Sequence, residues 1–131
     1  MDIQCVEFET RKDGNAMQAE ENPRRYVLTL DLKASVELQR EYVRHHRQVW
    51  PEVLRSLRDS GVLAMEIYVL ADRLCMVMDV NEGFSFERKA EMDASNESVQ
   101  AWETLMEKFQ RRLPYAKLDE KWAVMEKLFE L

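Results

Sequence analysis

The sequence predicts an α+β fold in which an antiparallel sheet is covered on one face by helices, its elements running β-α-β-β-α-β. Three observations carry this prediction. Apolar residues alternate at a period of two over 26–32 and in two arms flanking 71–73, whereas over 35–58 and 84–112 they recur three and four positions apart. Gly61, Gly83 and Pro114 fall between or after these stretches, where the chain must turn or stop.

Residues 1–25 are polar and charged, with Arg11-Lys12-Asp13-Gly14-Asn15 and Ala19-Glu20-Glu21-Asn22-Pro23 among them. They lack the apolar density that offsets the entropy of ordering, and are read as a flexible or loosely docked extension. The domain proper, 26–131, opens with Tyr26, Leu28, Leu30 and Leu32 alternating with Val27, Thr29 and Asp31, the pattern of a strand with one buried face. Ser35 is placed to cap a helix, with Glu37 in its first turn beside the positive end of the dipole. The inward stripe of that helix reads Leu38, Tyr42, Val49, Val53 and Leu57, with His46 and Trp50 on the same side. Pro51 has no amide hydrogen and drives Trp50 out of α geometry, so the helix is expected to break after His46 and resume from Pro51 toward Arg58. Gly61 then serves as a left-handed C′ residue.

Residues 62–70 and 73–80 read as a hairpin around Ala71-Asp72-Arg73. Leu63, Met65, Ile67 and Val69 are expected on one face of its first arm, with Ala64, Glu66 and Tyr68 on the other. In the second arm Leu74, Met76, Met78 and Val80 oppose Cys75, Val77 and Asp79. Segments 84–94 and 96–112 look helical, the second carrying Val99, Trp102, Leu105, Met106 and Phe109. The terminal run 122–131 suits a helix by composition and a strand by alternation; it is taken as a strand. The order is then that of a ferredoxin-like fold. Its sheet has a second face to bury, and a homodimer that covers this face with another copy, a dimeric α/β-barrel type assembly, is expected.

Composition narrows function by exclusion. A net charge of −6 argues against a nucleic-acid partner, which needs clustered cations to displace phosphate counterions. No apolar run reaches the roughly 20 residues that span a bilayer, so no membrane partner is expected, and the polar start Met1-Asp2-Ile3-Gln4 reads as cytoplasmic. Cys5 and Cys75 have no metal-site or redox spacing, and His45 and His46 are adjacent and point to different sides of a helix. No metal, no glycine-rich phosphate loop and therefore no cofactor is expected.

Tyr42 and His46 share a helix face one turn apart, and Trp50 continues the row. An imidazole can donate or accept a proton near neutral pH, and a phenol can hydrogen-bond a hydroxyl. By spacing alone a satisfied core pair is the commoner outcome, just as Trp102 at helical spacing is more often core filling than a wall against a sugar's C–H face. Glu66, Asp79 and Glu103 are candidate carboxylate partners.

The run Tyr42-Val43-Arg44-His45-His46-Arg47-Gln48-Val49-Trp50-Pro51-Glu52 closely resembles the Tyr-x-x-x-His-x-x-x-Trp-Pro-Glu pattern of the L-rhamnose mutarotase family, with Gly61 and Ile67-Tyr68 following at similar distance. The resemblance spans about residues 26–131. Ser85-Phe86-Glu87-Arg88-Lys89, Val99-Gln100-Ala101-Trp102-Glu103 and Glu120-Lys121-Trp122-Ala123-Val124-Met125-Glu126 look most like a branch associated with bacterial L-fucose use. It implies a dimeric ferredoxin-like fold with a C-terminal strand and a monosaccharide substrate. It also implies that His46 is the proton donor and that Tyr42 and Trp102 bind the sugar, and Trp50, Met65 and Glu103 are taken as substrate-binding with them. A second substrate tyrosine of the family falls on Met65 and the second of two tryptophans on Glu103, which turns the implied preference from L-rhamnose toward L-fucose. The rival readings are a dimeric ferredoxin-like monooxygenase and a non-catalytic sugar-binding module.

Overall fold

The computed structural model describes residues 25–131; the expected extension therefore lies, but for Arg25, outside the described residues. Strand β1 (Arg25–Leu32) is followed by helices α1 (Val36–His46) and α2 (Pro51–Asp59), then by β2 (Val62–Leu70) and β3 (Arg73–Val80). Helices α3 (Phe86–Ala94) and α4 (Glu97–Glu107) precede two short strands, β4 (Gln110–Arg111) and β5 (Ala123–Met125). The fold is α+β and ferredoxin-like, each of its two helical segments divided into two pieces. Among the described residues no helix is long and apolar enough to cross a membrane.

The local signals act where the sequence places them. The Ser35 hydroxyl accepts from the Leu38 amide at 3.2 Å, satisfying one of the free donors at the start of α1. Pro51 occupies the first turn of α2, where its missing donor costs nothing. Gly61 adopts φ +104 just past α2, and its carbonyl accepts from Asn81 at 2.9 Å, tying the helix end to the end of β3. Arg88 donates to the Ser60 carbonyl at 2.9 Å and so fastens α3 to the same corner.

In the antiparallel sheet, of order β2-β3-β1-β4, β1 is central. Leu28, Leu30 and Leu32 pair or align with Met76 and Leu74 on the helix-covered face, where Leu30, Leu32, Leu74 and Phe109 are among the most deeply buried side chains. Each such side chain contributes about 1.5–3 kcal/mol by leaving water. Contrary to the one-sided pattern expected for β1, Thr29 and Asp31 are buried as well. Thr29 donates to the Leu74 carbonyl at 2.8 Å, while Asp31 is paired with Arg73 and, at 3.2 Å, with Arg111.

Three further expectations are corrected. Leu63 does not share the inner face of β2: an irregularity between Val62 and Ala64 turns it out, to 67% exposure. The helix expected over 96–112 ends at Glu107, with Lys108 as C-cap, because Phe109 drops into the core and Arg111 is drawn to Asp31. The strand expected over 122–131 is confined to Ala123–Met125.

The last two strands occupy a single position beside β1. Arg111 stands opposite Asp31 and Ala123 opposite Thr29, so the chain leaves the ladder after Arg111 and rejoins it at Ala123 in continuing antiparallel register. Residues 112–122 make an excursion opposite Leu30.

Candidate functional site

A cavity between the sheet and the helices is lined by Tyr42 and His46 from α1, Met65 from β2, and Trp102 and Glu103 from α4. The excursion contributes Lys121 to the same lining.

The chemistry centres on His46, the last residue of α1. Its Nδ1 lies 2.9 Å from the Tyr42 carbonyl oxygen. A carbonyl can only accept, so this contact places the proton on Nδ1 and leaves the lone pair of the neutral ring on Nε2. Burial pushes the His46 pKa below the ordinary imidazole value and the charge of His45 adds to this, while the Tyr42 carbonyl opposes both. The resting ring is a neutral base at physiological pH.

The Tyr42 ring lies 4.3 Å from the His46 ring, centroid to centroid. Burial drives the Tyr42 pKa up to about 12; Gln110 partly offsets this and the charge of Glu103 reinforces it. The phenol is therefore neutral and a hydrogen-bond donor. Trp102 stands edge-on to His46 at 5.5 Å and edge-on to Trp50 at 5.2 Å. It is only 6% exposed, so core filler and cavity wall are one residue.

The structure thus brings together His46, Tyr42, Trp102 and Glu103 and adds Met65 across the cavity. Trp50 is different: it backs Trp102 rather than lining the cavity. Glu66 and Asp79 do not line it either. Glu66 accepts from the Tyr68 hydroxyl at 2.9 Å, and Asp79 pairs with Arg25 at 2.7 Å. His45 turns away toward Phe109, at 5.5 Å.

Two polar groups escape the sequence reading. Lys121 Nζ lies 2.6 Å from Glu103 Oε1. Gln110 lines the cavity, and its Oε1 is buried with no hydrogen-bond partner among the described residues. Neither carries a local signal: Gln110 falls inside what reads as a helix, and Lys121 reaches Glu103 across 18 positions of sequence. Among the described residues, no group of three or more His, Cys, Asp or Glu is placed to hold a metal ion.

The sequence profile of a family described as L-rhamnose mutarotase matches residues 25–131. A protein of Xanthomonas campestris pv. campestris described as L-fucose mutarotase is 41% identical over 109 residues, covering 82% of this chain and 87% of the relative. A UPF0734 protein of Dictyostelium discoideum is 31% identical over 113 residues, covering 81% and 88%. The crystal structure of the L-rhamnose mutarotase of Formosa agariphila superposes with a TM-score of 0.60 at 22% identity, covering 82% of this chain and 97% of that one, a likeness of fold.

Proposed function

The chain belongs to the L-rhamnose mutarotase family, a family of carbohydrate isomerases, and from that premise we propose that it interconverts the α and β pyranose anomers of a 6-deoxy-L-sugar, L-fucose in preference to L-rhamnose. The observation that carries the mechanism is the His46 ring, fixed through Nδ1 with Nε2 as its free basic nitrogen, beside a neutral phenol and an indole.

Anomer exchange requires the C1 hydroxyl to lose a proton and the ring oxygen to gain one as the C1–O5 bond breaks and the C1 aldehyde forms. Rotation about C1–C2 and reclosure on the other carbonyl face give the second anomer. His46 serves both proton transfers: Nε2 takes the O1 proton, and the resulting imidazolium returns it to the ring oxygen, the donor role the family resemblance implies. The Tyr42 carbonyl on Nδ1 stabilises the charged intermediate state of the ring. Tyr42 orients the sugar through its phenolic proton, Trp102 packs against the C–H face, and Trp50 holds Trp102 in place. Positioned acid/base groups of this kind contribute about 10²–10⁴-fold.

The preference for L-fucose rests on the relative's description and on Met65 and Glu103, where aromatic bulk gives way to a flexible thioether and a hydroxyl-reading carboxylate. A homodimer is part of the same reading. Val27, Cys75 and Val77 on the sheet face away from the helices are only half-buried and Tyr68 is exposed, an area a second copy's sheet would cover. Saturation-transfer NMR on L-fucose, L-rhamnose and D-galactose tests the function. Exchange well above the solvent rate, fastest for L-fucose, is expected. A protein that binds these sugars yet leaves exchange at the solvent rate would be a binding module instead.

A further inference from the structure

We infer that Lys121 is a substrate-binding residue that acts with Glu103, the ammonium and carboxylate together reading two neighbouring hydroxyls of the sugar. The inference rests on the cavity being a sugar site, as proposed above.

The interrupted ladder is what brings Lys121 there. Only Leu30 separates the β1 partners of Arg111 and Ala123, yet residues 112–122 intervene on the other side. Ordering a residue costs roughly 1–2 kcal/mol of backbone entropy, so a segment of this length needs anchors. Trp122 packs against both apolar clusters of the core. Glu120 accepts from the Lys117 amide at 3.2 Å and from the Val124 amide at 3.4 Å. Lys121 lies between these two fixed residues, and its side chain is directed onto α4, 2.6 Å from Glu103 and 3.6 Å from Glu107.

The pair is only partly covered, with side-chain exposures of 29% for Lys121 and 43% for Glu103. Pairs this open contribute about 0–1 kcal/mol to stability, so stability does not account for an excursion that delivers one. Both groups line the cavity, and the Glu103 charge is felt at the Tyr42 phenol, which puts the carboxylate on the catalytic side. An ammonium has three donors and a carboxylate about four acceptor sites. Their mutual contact occupies one of each. The remainder suits a vicinal diol, in which one hydroxyl donates to Glu103 while its neighbour accepts from Lys121. Each partner pre-orients the other before the sugar arrives.

Lys121→Met keeps the aliphatic stem and removes the charge; Lys121→Arg keeps the charge. Binding is read from tryptophan fluorescence, because Trp102 lines the cavity, and turnover from NMR exchange, using L-fucose and its 2-, 3- and 4-deoxy derivatives. Lys121→Met is expected to weaken L-fucose binding and raise KM by about 10- to 100-fold, the usual effect of losing a hydrogen bond to a charged group. Its thermal midpoint should not move, and Lys121→Arg should restore most of the binding. For one deoxy sugar the loss should shrink to within about threefold, since the partner hydroxyl is already gone. A loss below threefold for L-fucose, or an equal loss for every analogue, would overturn the inference. If the wild type binds L-fucose without exchanging its anomers, the mutarotase reading fails while the binding series still decides Lys121. If it binds none of these sugars, both readings fall.

Discussion

Truncating Trp102 to alanine removes an indole that stands edge-on to His46 and to Trp50 and is only 6% exposed. A tryptophan of this burial hides about 150–250 Å², which at about 25 cal/mol per Å² is about 4–6 kcal/mol. A realistic unfolded chain already hides part of that area, lowering the transfer contribution by roughly 10–40%. Each of the two edge-on pairs adds about 0.5–1.5 kcal/mol. The cavity left behind cannot close fully, because Tyr42, Val53 and Phe109 in the same cluster are held from three directions. Together these reach at least about 3 kcal/mol, and the expected loss is the range of about 3–5 kcal/mol found for such truncations. Urea unfolding of the wild type and of Trp102→Ala measures it, with Trp102→Phe losing about half as much. A loss below about 1 kcal/mol would refute the placement of Trp102 in the core.

Two other outcomes follow from the same packing. His46 has a folded pKa below its unfolded value near 6.5, so the native state holds fewer protons than the unfolded one as the solution is acidified. The stability this contributes is complete above pH 6.5 and is lost as pH falls through the folded pKa; His46→Gln should abolish that acid slope in denaturation curves taken between pH 7 and 5, and an unchanged slope would deny the burial of the ring. Gly61→Ala places a Cβ in the left-handed region and 2.6 Å from Asn81 Oδ1. It should cost about 1–3 kcal/mol in urea unfolding, whereas Gly83→Ala, whose new Cβ meets Asn81 Oδ1 at 3.7 Å, should cost far less.

What the sequence discloses and what it withholds divide along the range of the forces involved. The Ser35 cap, the break between His46 and Pro51 and the turn at Gly61 are set within a few residues, and each is found where the sequence puts it. The end of α4 is not local. Phe109 continues the helical spacing of Trp102, Leu105 and Met106, and it is the pull of Asp31 on Arg111 that converts the next turn into strand. Leu63 is turned out by an irregularity of pairing that alternation alone does not reveal. The same division holds at the site. Tyr42 and His46 share one helix face, a spacing that by itself favours a core pair, and it is the family resemblance that singles them out together with Trp102. Trp50 extends their row in sequence, yet the break at Pro51 leaves it behind Trp102. Lys121 becomes visible only when the two halves of the fourth strand are seen to flank an excursion.

The account turns on proton transfer through His46 Nε2, and anomer exchange in His46→Gln measures this most directly. Glutamine keeps a polar side chain at the end of α1 but cannot cycle a proton near neutral pH. With L-fucose and saturation-transfer NMR, the variant should exchange anomers about 10²–10⁴ times more slowly than the wild type, while still quenching tryptophan fluorescence on binding. Exchange within about threefold of wild type would contradict the assignment of His46 as the acid/base residue.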